Sequence, residues 1–172
     1  MIKNEPLYNV RAIHSLRDMV TQSETLFGSR NAFLVKTEND VYKGITYSEF
    51  KNDIDALGTA FIDLGLKDAS IAVIGENRYE WCVSYLAAVN GAGRVVPLDK
   101  ELPPSEVENL LIRSNTSAVV FSGKLTKQME KLAAFLKSVR YYINMDMEQD
   151  EQGFLSFNRL VERGRALMDS GD

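Results

Sequence analysis

Histidine and cysteine each occur once in these 172 residues, as His14 and Cys82. A single histidine excludes any multi-histidine metal site built from this chain. A single cysteine excludes an intramolecular disulfide and fits a reducing cytoplasm. No apolar run nears the roughly 20 residues that cross a bilayer. Met1-Ile2-Lys3-Asn4-Glu5-Pro6 lacks the apolar centre of a signal peptide. Positive charge is not in excess either. The formal net charge is −4, so electrostatics favour neither nucleic acid nor an anionic membrane surface. Gly-x-Ser-x-Gly is missing, which removes the nucleophile elbow of serine hydrolases. No internal repeat or low-complexity tract occurs.

The 45% hydrophobic content is that of a globular protein, and a chain of this length, read as one domain, can bury about 70% of its unfolded surface. Residues 71–99 carry the strongest pattern. Ile71 to Ile74 is a short run of β-formers, as in a strand covered on both faces. Asn77 is placed to cap a following helix, with Glu80 three residues on as in a capping box. Trp81, Tyr85, Leu86 and Val89 fall on one helical side, which is expected to pack on the sheet. Gly91 and Gly93 end that helix, and Arg94 to Leu98 begins another strand. A strand–helix–strand unit of this length joins parallel strands. The fold class is α/β: a three-layer, mostly parallel sheet flanked by helices, with an N-terminal β-hairpin.

Other elements follow from the same periodicities. Ile13, Leu16, Val20 and Phe27 predict a helix over 11–27, and 32–37 with 41–47 predict a hairpin around Glu38-Asn39-Asp40. Phe50, Ile54, Leu57, Phe61 and Leu64 form the cleanest helical stripe, ended by Gly65. Pro103-Pro104 and Ser105 open a helix to about Ser114, with Val107, Leu110 and Leu111 inward. Ala118–Phe121 and Tyr141–Ile143 read as strands around a helix over 125–138, marked by Leu125, Met129, Leu132 and Leu136. Phe157, Leu160, Val161 and Leu167 predict a last helix that frays near Gly171-Asp172.

Few residues are candidates for chemistry. Gly91-Ala92-Gly93 follows a helix and precedes a strand, the reverse of a dinucleotide fingerprint, so it reads as a helix C-cap. Ser122-Gly123-Lys124 has the strand-to-helix setting of a phosphate loop but not its upstream glycine, so a plain surface loop is favoured. Arg78 and Lys124 stand at the carboxyl ends of strands, where α/β sheets bind ligands; ordinary solvation is favoured over phosphate contact. His14, placed in the first helix, reads as a surface or capping residue. Cys82, beside Trp81, reads as a buried small hydrophobe. The acidic run Asp146, Glu148, Asp150 and Glu151 lacks the spacing of a calcium loop and reads as a solvated connection. No catalytic, cofactor-binding or metal-ligating residue is assigned.

A family resemblance runs along much of the chain. Ala32-Phe33-Leu34-Val35, Ile45-Thr46-Tyr47-Ser48-Glu49-Phe50, Gly65-Leu66, Ile71–Asn77, Gly93 through Asp99 and Pro104-Ser105-Glu106-Val107 occur in order over roughly residues 10 to 143. Together they resemble the amino-terminal part of the AMP-forming adenylating enzymes, the superfamily of acyl-CoA synthetases, luciferase and peptide-synthetase adenylation domains. The wording of Gly75–Trp81 and Val96–Pro103 is most similar to bacterial long-chain fatty acid–CoA ligases.

The resemblance implies a partial N-terminal, AMP-binding domain over 1–172, belonging to a ligase that uses ATP, Mg2+ and CoA. That ligase makes an acyl-adenylate from a fatty acid and then the acyl-CoA. The family's Thr/Ser/Gly-rich phosphate loop and its C-terminal domain are not among these residues. This segment by itself is therefore expected to be catalytically incomplete and to bind none of those cofactors tightly. It is expected to supply one sheet layer, with one face buried against the remainder of the ligase chain. An uncovered apolar face would favour self-association. The alternatives are a free-standing, non-catalytic binding module on the same scaffold, and a ligase for an aryl or other carboxylic acid.

Overall fold

Five strands form one wholly parallel sheet in the computed structural model, which describes residues 8, 10–37 and 40–171. In chain order the elements are α1 (Leu16–Phe27), β1 (Asn31–Lys36), β2 (Tyr42–Thr46), α2 (Tyr47–Asp63), β3 (Ala69–Ile74), α3 (Tyr79–Ala87) and β4 (Gly93–Leu98). They continue with α4 (Pro104–Arg113), β5 (Thr116–Phe121), α5 (Thr126–Phe135), β6 (Tyr141–Asn144), β7 (Leu155–Ser156) and α6 (Phe157–Ser170). The strand order is β4-β3-β5-β6-β7, and β1 pairs with β2 as a separate antiparallel hairpin. This is the expected three-layer α/β architecture. Glu38, Asn39 and residues 1–6 lie outside the described residues.

The strand side chains alternate between two cores. Ile71, Val73, Ala118, Val120 and Ile143 pack with residues of α2, α3 and α6. Ala72, Ile74, Val119, Phe121 and Tyr142 pack with residues of α4 and α5. All four residues from Ile71 to Ile74 are fully buried, each Ile or Val contributing about 1.5–3 kcal/mol of transfer free energy. Helices of this chain pack on both sheet faces, while the edge strand β4 stays partly exposed. Exposed apolar side chains include Leu34, Val41 and Tyr42 of the hairpin, along with Leu26, Ile112 and Phe135 on helices.

Helix α2 begins with a reciprocal cap. The Thr46 hydroxyl accepts from the Glu49 N–H, and the Glu49 carboxylate accepts from the Thr46 N–H at 2.7 Å. Ile54, Leu57 and Phe61 of its stripe are buried, and Phe50 and Leu64 partly so. At Gly65, φ is +70°, which ends the helix.

Several expectations are corrected. Ser15 caps α1, so His14 and Ile13 precede the helix and are exposed, and only Val20 of its stripe is buried. Arg78, not Asn77, is the N-cap of α3, and it makes no side-chain cap bond. The buried residues of that helix are Val83, Ser84, Leu86 and Ala87, while Val89 is exposed; Trp81 and Tyr85 stack at 5.3 Å at its margin. The two glycines divide the work expected of a single cap. Gly91 takes φ +136° in a widened turn over Ala88–Ala92, and Gly93 already belongs to β4, where a Cβ would collide with the Ala69 carbonyl. Cys82 is half-buried rather than buried. The two-residue β7 was not foreseen, and α6 runs to Ser170 before left-handed Gly171 closes it.

Candidate functional site

The strand order reverses direction between β3 and β5, and the loops leaving their carboxyl ends diverge there, as at the ligand crevices of open α/β sheets. Gly75 follows β3 closely enough to β5 that a Cβ would lie 3.1 Å from Ser122 Cβ, and the Ser122 N–H donates to the Ile74 carbonyl at 3.2 Å. The loop after β6 joins them. Glu76, Arg78, Gly123, Lys124 and Asp146 line an open crevice of about 700 Å³.

Asp146 ties the three loops together. Its Oδ1 accepts from Arg78 Nη1 at 2.6 Å, and its Oδ2 from the Gly123 N–H at 2.6 Å. Its own N–H donates to Asn144 Oδ1 at 2.8 Å, while Asn144 Nδ2 donates to Thr126 Oγ1 at 3.0 Å. Gly123 is fitted to this contact, because a Cβ there would meet Asp146 Oδ2 at 2.8 Å. Arg78 also donates from Nε to Glu80 at 2.6 Å. Burial opposes its charge, but the carboxylates of Glu80 and Asp146 more than offset this and raise its pKa, so Arg78 is a fixed cation.

Lys124, 79% exposed, stands 3.3 Å from Glu76. Burial pushes the Glu76 carboxyl up, yet the nearby Ser122 hydroxyl, its own backbone N–H and Lys124 bring it below its usual value. Ser122 is 1% exposed, and its hydroxyl forms no hydrogen bond of good geometry.

Of the two cations considered from the sequence, both are here, and each is matched by a carboxylate. Glu76, Glu80 and Asp146 outnumber Arg78 and Lys124 by one, so the resting crevice is net negative. By sequence Asp146 belongs to an acidic run that reads as a solvated connection. It is exposed, but it fastens the site, and Asp150 likewise accepts the Ser156 N–H at 2.7 Å. The available signal was an acidic residue two positions beyond a strand's carboxyl end. Ser122-Gly123-Lys124 forms the expected strand-to-helix loop, with a short 3-10 turn over Gly123–Leu125. Half-buried Cys82 has its thiol pKa raised by burial and then by Glu80, which disfavours a thiolate. His14 is far from this arrangement in its contacts, its N–H donating to Asp18 at 2.9 Å.

A second polar crevice, of about 420 Å³, separates β2, α2, α3 and α6. There the Tyr79 hydroxyl donates to Asp53 Oδ2 at 2.8 Å, and Arg165 pairs with the other oxygen. Burial and then Asp53 raise the Tyr79 pKa, so the phenol is a permanent donor, and Asp53 of α2 joins Tyr79 of α3 to Arg165 of α6. Among the described residues, no group of three or more His, Cys, Asp or Glu side chains could hold a metal ion. No helix of the described residues is long and apolar enough to cross a membrane.

Comparison with known proteins gives this scaffold its relatives. A long-chain-fatty-acid–CoA ligase of Thermus thermophilus is 25% identical over 150 residues, which are 86% of this chain and 27% of that protein. A 3-[(3aS,4S,7aS)-7a-methyl-1,5-dioxo-octahydro-1H-inden-4-yl]propanoyl:CoA ligase of Mycobacterium tuberculosis is 24% identical over 130 residues, 73% of this chain and 25% of that protein. The chain therefore spans about a quarter of the length of these curated relatives. A red-emitting luciferase of Phrixothrix hirtus has the same fold, with a TM-score of 0.77 at 16% identity, over 90% of this chain and 29% of that one. The family model described as AMP-binding enzyme matches residues 24–162, most of the chain and every strand of the parallel sheet, and on that match the chain belongs to the AMP-binding enzyme family.

Proposed function

We propose that these residues are the amino-terminal scaffold of an ATP-dependent acid–CoA ligase that forms an acyl-adenylate and then an acyl-CoA, with Mg2+ assisting the nucleotide. The family match over residues 24–162 carries this reading. In the ligase the carboxylate attacks the α-phosphorus of ATP and releases pyrophosphate. The CoA thiol then displaces AMP from the acyl carbon. The segment's part is to hold the parallel sheet and its crevice loops in place for groups contributed by other residues of the protein. A fatty acid is the substrate favoured by the Thermus relative's name, and a cytoplasmic setting accords with the lone cysteine.

The hairpin, which bears the exposed Leu34, Val41 and Tyr42, is the surface that meets the remainder of the ligase chain. Left uncovered, it supports self-association. A second reading has its own support, since the mycobacterial relative is named for a bicyclic propanoate rather than a linear chain. An acid other than a fatty acid is therefore the alternative.

The 172 residues alone, supplied with ATP, Mg2+ and palmitate, are expected to show no ATP–pyrophosphate exchange. Both crevice cations are already paired, and exchange above a heat-killed control would contradict this. The protein that carries the segment, given a panel of fatty and aryl acids with CoA, is expected to yield AMP and a thioester. Failure with every acid would sink the ligase reading.

A further inference from the structure

We infer that the crevice at the carboxyl ends of β3, β5 and β6 binds a small oxyanion, a phosphate or carboxylate group, in competition with the side chain of Asp146. The Asp146 carboxylate already behaves as such a ligand. One of its oxygens takes the Arg78 guanidinium and the other takes the Gly123 N–H, both at 2.6 Å. These two donors come from different loops and converge on one anion-sized volume. A guanidinium N–H and a backbone N–H are common holders of carboxylate and phosphate oxygens.

Three observations separate this from an ordinary surface ion pair. The crevice is open, about 700 Å³, so a ligand has room beside the carboxylate it displaces. It lies where the strand order reverses, the position at which α/β sheets bind ligands. Ser122, next in the chain to Gly123, is 1% exposed with a hydroxyl that forms no well-formed hydrogen bond, a buried polar group of the kind that calls for a partner. Exposed Lys124 is held only by Glu76 at 3.3 Å and can swing to a bound anion. With Asp146 rotated into solvent, the charges of Arg78 and Lys124 balance those of Glu76 and Glu80, and a singly charged anion in its place restores the charge of the resting crevice.

The inference stands on the crevice and does not depend on the ligase reading, because binding is measured without ATP or acid. Inorganic phosphate and, separately, acetate are titrated into the 15N-labelled chain while the Gly123 amide is followed by NMR. The wild type is expected to show a saturable shift at millimolar anion with at least one of the two. Whichever anion saturates at lower concentration identifies the preferred group. Asp146→Ala is expected to bind at least tenfold tighter, and Asp146→Asn to fall between. Arg78→Met is expected to lose the shift. No saturable shift of Gly123 with either anion in the wild type overturns the inference, even if Asp146→Ala should fail to fold. So does a folded Asp146→Ala protein that binds no tighter than wild type.

Discussion

Gly164 of α6 lies directly on the backbone of Ala56 in α2: a Cβ on Gly164 would fall well inside contact distance of the Ala56 carbonyl oxygen and carbon. The two helices approach at a point where only hydrogen fits, and Ala56 itself is fully buried. Helix propensity and packing therefore pull in opposite directions at this position.

Gly164→Ala tests which wins. Propensity alone would add about 1 kcal/mol, but the obstruction is backbone and cannot move aside as a flexible side chain would. A net loss of about 3 kcal/mol is expected, lowering the thermal midpoint by about 6–12 °C for a domain of this size. Gly58, also in α2, is the control. A Cβ there meets only the Ala87 carbonyl at 3.5 Å, ordinary contact. Gly58→Ala is expected to stabilise by about 0.5–1 kcal/mol. Thermal unfolding of the two variants should move in opposite directions.

The cap of α2 gives a pH signature. Thr46→Ala is expected to cost about 1 kcal/mol in urea unfolding. The Glu49 carboxyl is held below its ordinary 4.5, first by the Thr46 N–H and then by the Thr46 hydroxyl. A carboxyl lowered in the folded state stabilises above its unfolded pKa, and that contribution is lost as pH falls through the folded value. The stability gap between wild type and Glu49→Gln should therefore be steady above pH 5 and narrow progressively below about 4.5. A gap that widens on acidification would be the wrong sign.

Tyr142 predicts the opposite end of the scale. Its hydroxyl is buried without a hydrogen-bond partner, and burial pushes its pKa up to about 12. An orphan hydroxyl stabilises little, so Tyr142→Phe is expected to change stability at pH 7 by under about 0.5 kcal/mol, or to increase it. The raised pKa favours the folded state fully below pH 10 and is lost as pH climbs to about 12. Wild type should lose stability relative to Tyr142→Phe across that interval, as read by denaturant unfolding at pH 9, 10.5 and 11.5.

Phe61, fully buried in α2, anchors the core on one sheet face. Phe61→Ala is expected to cost about 3–5 kcal/mol through lost transfer and an unfilled cavity. Loss of a cooperative unfolding transition would be the extreme form of that result. A cost under 1 kcal/mol would contradict the assigned packing.

The helical stripe of α2, the apolar run of β3 and the Pro-opened α4 were legible because each depends on local periodicity and on neighbours within a turn or two. The start of α3 was misread for the same reason. Asn77 and Glu80 satisfy a local capping pattern, but Arg78 is drawn instead to Asp146, 68 residues away. Arg78, with extended φ and ψ, is the boundary of the helix, and its side chain ties this loop to the one after β6. Asp146 was hidden within an acidic run, since nothing local separates a carboxylate that fastens three loops from one that faces water.

Sequence by itself determined the α/β class, the hairpin, most helix and strand positions and the family, all of which rest on short-range patterns repeated in order. Tertiary structure decided the rest. It set the strand order β4-β3-β5-β6-β7, the seating of Gly164 against Ala56, and the meeting of Arg78, Gly123, Lys124 and Asp146 at one crevice. The physical reason is range: hydrogen-bond periodicity and hydrophobic patterning act along the chain, whereas charge pairing and close packing act across space between residues the chain holds far apart.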